Sequence, residues 1–167
     1  MATEVVTYAL ESEQEDVIKY IATQPVFKFQ EYASWAFQGN LIVEQENRDY
    51  WIGHFSVSVL RLLTDPSFGL KVRYSIAMRN AIRAQRLDIV EFLCESPEVC
   101  LEKLGGEYLQ RALSAPCYPI FFCLLDFDEV YVSRDVVVQS FLGYGCSLEF
   151  RQALRDHPKT REYVLMD

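Results

Sequence analysis

The chain has 167 residues, 50% hydrophobic and 24% charged, which is a globular composition that excludes a disordered protein. Its formal net charge of −8 repels phosphate backbones, so nucleic acid is not expected as a default partner. No apolar run approaches the roughly 18 residues of a membrane span, and the acidic first segment is unlike a secretory signal. We therefore expect no membrane association and a cytoplasmic location, which is the host cytosol if the protein is a secreted effector.

A helical segment that ends at a proline recurs along the chain. The copies are DVIKYIATQPVF, VSVLRLLTDPSF, DIVEFLCESPEV, PIFFCLLDFDEV and EFRQALRDHPKT. Their marks are 41, 31, 31 and 30 residues apart, at Pro25, Pro66, Pro97, Asp128 and Pro158. The long first interval predicts an insertion of about ten residues in the second unit, near VEQENRDYWIG.

A second predicted helix precedes each of these segments. In the third unit it is RYSIAMRNAIRAQR, where apolar residues follow helical spacing. Ala9, Ala81 and Ala112 recur at its equivalent positions in three units. Small residues at one inner position allow neighbouring helices to approach closely when the units stack.

The third unit carries the clearest family likeness. NAIRAQRLDIVEFLCESPEV resembles the AA-x-x-G-x-L-x-x-V-x-x-L-L core of the ankyrin repeat, in a short-period variant with D/S-P-x-V ends. Ala81 fits the first alanine, and the apolar positions of the outer helix are matched by Leu87, Val90, Leu93 and Cys94. The chain departs from the family at the T-P-L-H turn, which is absent. Gln85 replaces the glycine between the helices, and Arg151 stands where Val90 does.

The predicted fold is an all-α solenoid of stacked helix-turn-helix, ankyrin-like repeats in a single domain, residues 1–167. Its five units are approximately 4–28, 29–69, 70–100, 101–131 and 132–166. An unrelated helical bundle or a HEAT-like array remains an alternative, which the even spacing disfavours. End units should be polar where they meet water. The residues expected in that role are Glu11, Glu13, Glu15 and Asp16 at one end and Arg151, Arg155, Asp156, His157, Lys159, Arg161 and Glu162 at the other.

No motif of a known catalytic or metal centre occurs. Phosphate loops, a G-x-S-x-G elbow and H-E-x-x-H are all absent from the sequence. The histidines, His54 and His157, are expected in loops or at the surface, and Asp126–Glu129 is expected to form a turn with capping residues. Five cysteines without a C-x-x-C pair indicate reduced, mostly buried thiols. We expect no enzyme, cofactor or metal; a cryptic enzyme using Cys117, Cys123 or His157 is the third-ranked hypothesis.

Two segments are candidate partner-binding surfaces. The first is a basic stripe, in which Arg79 and Arg83 share one face of the inner helix and Arg86 lies near it. It suits an acidic or phosphate-bearing surface of a partner protein, although internal pairing with neighbouring glutamates is the alternative. The second is the insertion, where aromatic residues are either interface or core side chains. These aromatics are Trp35, Phe37, Tyr50, Trp51 and Phe55.

The leading functional hypothesis is a non-enzymatic protein-binding module: an adaptor, inhibitor or effector that binds a partner protein through its concave face and loops. The second is an acidic nucleic-acid mimic that inhibits a DNA- or RNA-binding enzyme. Its phosphate-like charges would come from the acids between Asp88 and Glu107.

Overall fold

The computed structural model describes residues 2–29, 55–66, 73–114, 117–142 and 147–164. Every regular element within these ranges is a helix, so the all-α prediction is confirmed there. The chain divides into two compact units, Met1–Val99 and Cys100–Asp167. This boundary lies one residue from the predicted junction between the third and fourth repeats. That the whole chain forms a single domain stays a prediction.

The described helices fall into the two units as follows. In the first unit they are α1 (Ala2–Glu11), α2 (Glu15–Thr23), the short 3-10 helix η1 (Pro25–Phe27), α3 (Val57–Thr64), α4 (Tyr74–Arg83) and α5 (Leu87–Cys94). In the second unit they are α6 (Leu101–Ser114), α7 (Tyr118–Asp126), α8 (Arg134–Leu142), α9 (Leu148–Asp156) and α10 (Arg161–Val164). The inner helices α1, α4, α6 and α8 pack on the outer helices α2, α5, α7 and α9 that follow them.

The outer helices begin at the period that the prolines predict. Their N-cap residues are Gln14, Ser56, Arg86, Cys117 and Ser147, spaced 42, 30, 31 and 30 residues apart. The hydroxyls of Ser56 and Ser147 accept hydrogen bonds from the N–H groups of Val59 and Phe150, at 3.4 and 3.1 Å. These bonds satisfy donors that a helix start leaves open.

The outer helices bury the same two positions, counted from the N-cap residue, with one exception. The fourth and seventh residues after the N-cap are Ile18 and Ile21, Leu60 and Leu63, Val90 and Leu93, Phe121 and Leu124, and Arg151 and Leu154. All are buried except Arg151, which is half-buried. Its guanidinium lies 5.8 Å from the centre of the Phe141 ring, so the departure seen in the sequence is accommodated by a cation–π contact.

The residues that mark the period form one recurring turn. The N–H groups of Phe27, Val99, Val130 and Thr160 donate to the carbonyl three residues earlier, at 3.0 to 3.1 Å. Proline at the second position of three of these turns suits the backbone because its φ is already fixed near the required value. Asp128 takes that place in the fourth unit. The last residue is buried in three copies, so the turn anchors the end of each helix pair.

A second recurring turn joins the inner helix to the outer one. After α4, Gln85 N–H donates to Ile82 O and Arg86 N–H donates to Ala81 O, both at 3.0 Å. Gln85 has a left-handed φ of 55°, which is the geometry for which glycine is preferred. Glu13, the residue 72 positions earlier, has the same φ. The backbone therefore keeps the conformation of the missing glycine although the residue differs.

Neighbouring helix pairs are joined by contacts between residues about one period apart. In the first unit, Arg86 Nη2 donates to Phe55 O at 3.0 Å, and α3 packs on α5. In the second, the rings of Tyr118 and Phe150 stack with centroids 4.0 Å apart, and Lys159 Nζ donates to Phe127 O. In both units, contacts therefore join described helices whose positions in the chain are about one period apart.

Candidate functional site

The predicted basic stripe reduces to two arginines on α4. The buried side of this helix consists of Ala77, Met78, Ala81 and Ile82. Arg79 is half-buried and Arg83, four residues later, is exposed in the last turn. Their spacing places them on one side of the helix, next to its buried stripe.

Arg86 does not continue this stripe. The helix ends at Arg83, and the left-handed Gln85 turns the chain before Arg86, so a spacing of seven no longer means a shared face. Arg86 instead occupies the N-cap position of α5, where its side chain donates twice to Asp88, from Nε to Oδ1 at 2.8 Å and from Nη2 to Oδ2 at 2.6 Å. With its further bond to Phe55 O, it holds together two helix pairs.

The Arg86–Asp88 pair shifts the pKa values of both groups. Hydrogen bonding to the Asp88 carboxylate raises the pKa of Arg86, with smaller opposition from partial burial. Hydrogen bonding from Arg86 lowers the pKa of Asp88 for the same reason. Both groups are therefore held charged, as a bidentate arginine–carboxylate pair requires.

The acids between Asp88 and Glu107 are partly neutralised. Besides the pair described above, Glu95 lies 3.4 Å from Arg61, and Glu107 lies 2.8 Å from Arg111. The Arg61 guanidinium also lies over the Phe92 ring, 5.2 Å from its centre. Three exposed acids of this segment form no ion pair with a described residue: Glu91, Glu98 and Glu102.

The aromatic candidates of the insertion, Trp35, Tyr50 and Trp51, fall outside the described residues, as does Phe37. Phe55, at the edge of this segment, is buried. Its side chain is therefore part of the core, which is the alternative that the composition favoured for the aromatics as a group.

His157 is held at a turn by both of its ring nitrogens. Its Nδ1 accepts a hydrogen bond from Lys159 N–H at 3.2 Å, and its Nε2 lies 3.3 Å from Asp126 Oδ1. Both ring nitrogens are thus engaged, and the carboxylate belongs to the preceding helix pair. Asp126 is the last residue of α7, and the following residues 127–129 form the recurring turn, as predicted for this acidic segment.

The described cysteines are free thiols with different exposures. Cys94 and Cys117 are buried, Cys123 is half-buried and Cys100 is exposed. Across the described ranges, no group of three or more His, Cys, Asp or Glu side chains could hold a metal ion. His54 and Cys146 lie in parts of the chain that are not described.

The sequence patterns missed an apolar surface on the first helix pair. Its exposed large hydrophobic side chains are Val5, Tyr8, Val17, Tyr20 and Val26. The acids expected to cap this end do not cover them: Glu13, Glu15 and Asp16 lie at the α1–α2 turn and the start of α2. Asp16 is equivalent to Asp88 and Glu149, which are exposed in later pairs too. Aligning the first pair with the later ones would have revealed this surface.

None of the described helices combines the length and the apolar character needed to cross a bilayer. Comparison of the chain with protein-family models, with curated proteins and with solved structures found no match.

Proposed function

We propose that this chain is a non-enzymatic protein-binding module, built as a short solenoid of degenerate ankyrin-like helix pairs. The observation that carries this proposal is the repetition of contacts one period apart, from Arg86 to Phe55 and from His157 to Asp126, each 31 residues. Pairs that pack in this way present a row of inner helices and turns, and such rows recognise partners over an extended surface.

The partner-binding residues that we propose are Arg79 and Arg83. They lie on an inner helix, and they form a local positive patch on a chain whose net charge is −8. Guanidinium groups pair in a bidentate manner with carboxylates and phosphates, so we propose an acidic or phosphate-bearing region of a protein as the ligand. By covering that region of its partner, the chain would act as an adaptor, an inhibitor or an effector.

The place of action that we propose is the cytoplasm, or the host cytosol for a secreted effector. Cys94 and Cys117, which are buried and form no disulfide, support a reducing compartment, since such thiols need no oxidising environment to be stable.

The experiment is affinity capture with the full chain as bait, after crosslinking in the native or host cell, followed by binding measurements with the captured protein. The Arg79→Glu/Arg83→Glu variant should weaken binding at least tenfold. The matched control is Lys28→Glu/Lys103→Glu, which makes the same change of charge at two exposed positions away from α4 and should bind like the unmodified chain. An equal loss of affinity in both variants would mean that only the net charge of the chain matters. Unchanged affinity of the Arg79→Glu/Arg83→Glu variant would show that these two arginines are not part of the interface.

Nucleic-acid mimicry is the second candidate. It is supported by the exposed acids Glu91, Glu98 and Glu102, and pairing of the other acids with arginines lowers the charge available to it. Mimicry requires that the captured partner is a DNA- or RNA-binding enzyme. Its affinity for the chain should fall steeply as the salt concentration rises, and it should also be lower for the triple variant Glu91→Gln/Glu98→Gln/Glu102→Gln.

A further inference from the structure

In α9 and in α5, one side chain each contacts the outer helix that precedes it in the same unit. Phe150, the third residue of α9, stacks on Tyr118 of α7 and makes edge contacts with Phe121 and Phe122, with ring centroids 5.7 and 5.5 Å away. Phe92, the sixth residue of α5, lies against the Arg61 guanidinium of α3. The third residue is buried in every later outer helix, at Val59, Ile89, Ile120 and Phe150.

In the first pair these positions are apolar and exposed. Val17 is the third residue of α2 and Tyr20 is the sixth, and they are 37% and 65% exposed. On α1, Val5 is 38% exposed, whereas its equivalents Ala77 and Tyr108 are fully buried. The first pair thus has the side chains of an internal repeat on the side where an internal repeat would be covered. We call Val5, Val17 and Tyr20 the leading face.

The last outer helix has the complementary feature. Tyr118 is the first residue of α7, and through it α7 stacks on Phe150 of the pair that follows. The equivalent first residue of α9 is Leu148, which is 77% exposed. Leu148 therefore occupies the position at which Tyr118 contacts Phe150, the third residue of the next outer helix, and we call it the trailing contact.

We propose that copies of this chain associate head to tail, with the leading face of one copy seated on α9 of a second copy. Leu148 of one copy then meets Val17 of the other in the relation that Tyr118 has to Phe150 within the chain. Continuity with the stacking of Tyr118 on Phe150 makes an outer helix of the same kind the fitting occupant, whereas the inner side of the last pair is already in contact with α10. Burial of these apolar side chains supplies the driving force.

Charge favours this arrangement over a two-fold dimer of leading faces. Residues 2–29 contain five acids and two lysines, namely Glu4, Glu11, Glu13, Glu15 and Asp16 against Lys19 and Lys28. Residues 134–164 contain five bases and four acids, namely Arg134, Arg151, Arg155, Lys159 and Arg161 against Asp135, Glu149, Asp156 and Glu162. Two leading faces would bring together segments of like charge, whereas head-to-tail contact pairs opposite signs. Such a contact is heterologous, so two associated copies retain one unused leading face and one unused trailing contact, through which further copies can join.

The test is sedimentation equilibrium of the full chain up to about 1 mM, the concentration that corresponds to weak association. The average mass of the unmodified chain should rise continuously with concentration. Tyr20→Glu and Leu148→Glu should each sediment as a monomer. Tyr131→Glu, the same kind of change at an exposed tyrosine in an internal turn, should associate like the unmodified chain. All three sites are exposed, and circular dichroism checks that each variant is folded.

Mixing the two monomeric variants gives the decisive result. Tyr20→Glu retains the trailing contact and Leu148→Glu retains the leading face, so an equimolar mixture should form a 1:1 complex and nothing larger. A closed dimer that Leu148→Glu leaves intact would show a two-fold interface instead and overturn the proposal. So would an unmodified chain that stays monomeric over the whole concentration range.

Discussion

Gly105 and Val130 fit together because Gly105 lacks a side chain. A Cβ at Gly105 would lie 2.9 Å from Val130 Cγ2 and 3.0 Å from Cγ1. Gly105 lies within α6, and Val130 ends the turn that follows α7. The close approach seats the end of this helix pair against its own inner helix, and Val130 is fully buried there.

Replacing Gly105 with alanine should therefore destabilise the protein despite the better helix propensity of alanine. Overpacking costs about 1–3 kcal/mol, and the propensity gain of about 1 kcal/mol offsets only part of it. We expect a net loss of about 1 kcal/mol in the free energy of unfolding, measured by urea denaturation. The control is Gly106→Ala, where a Cβ would meet only Tyr131 O at 4.0 Å. That variant should be more stable, and a gain at both sites would contradict the close approach.

Glycine at position 85 should stabilise the chain. Gln85 is held at a φ of 55°, which costs a side-chain-bearing residue about 1–2 kcal/mol, whereas glycine adopts it freely. Glycine also adds freedom to the unfolded chain, so we expect a net gain of about 0.5–1 kcal/mol for Gln85→Gly. The adjacent Ala84 has a φ of −78° and serves as the control, because Ala84→Gly brings only the entropy cost. Thermal denaturation should show opposite shifts of the two midpoints.

Loss of the Ser147 hydroxyl should weaken the start of α9. It accepts a hydrogen bond from Phe150 N–H, and removing such a cap costs about 1 kcal/mol. Ser114→Ala is the same chemical change in the last turn of α6, where the hydroxyl donates to Gln110 O and caps nothing. Only Ser147→Ala should lower the urea midpoint appreciably. Equal effects would mean that the Ser147 hydroxyl does not act as a cap.

The Arg86–Asp88 pair should contribute stability that depends on pH. Because the pKa of Asp88 is lowered in the folded chain, its contribution is present above the ordinary value of 3.8 and is lost as the pH falls through the folded-state pKa. Asp88 is half exposed, so solvent screening limits the coupling energy to about 1 kcal/mol or less. A double-mutant cycle with Arg86→Gln and Asp88→Asn measures it. The coupling should be constant from pH 7 to pH 5 and vanish in stronger acid; a pH-independent value would exclude an ionic origin.

The period and the helix pairs could be predicted from the sequence because each turn imposes its own residue choice. Proline fits the second turn position, and Asp128 could be placed in register although it is not proline, since the apolar pattern before it was preserved. The inner alanines were likewise visible because close helix contacts select small residues. Sequence alone was sufficient wherever the backbone or the packing favours one residue type, as with proline in the turn and alanine at a close helix contact.

The spacing argument for Arg86 failed for an equally local reason, while its role in binding a partner stays a prediction. Its spacing from Arg79 indicates a shared face only while the helix continues, and the glutamine at position 85 gave no sign of a left-handed turn. The apolar leading face was missed because the acids near it suggested a polar end. Exposure depends on which neighbours a helix pair has, and that is a property of packing and not of one segment's composition.

The contacts between adjacent helix pairs have a consequence for how the chain folds. The hydrogen bond from Arg61 to Glu95 joins residues only 34 positions apart in the chain, and the entropy cost of closing such a loop grows slowly with its length. Each helix pair can thus form its contacts with residues that have just been synthesised, before more distant parts of the chain exist. We therefore expect the pairs to fold quickly, one after another, as the chain leaves the ribosome. Amide hydrogen exchange should then reveal opening of separate segments, with the outermost pairs opening first.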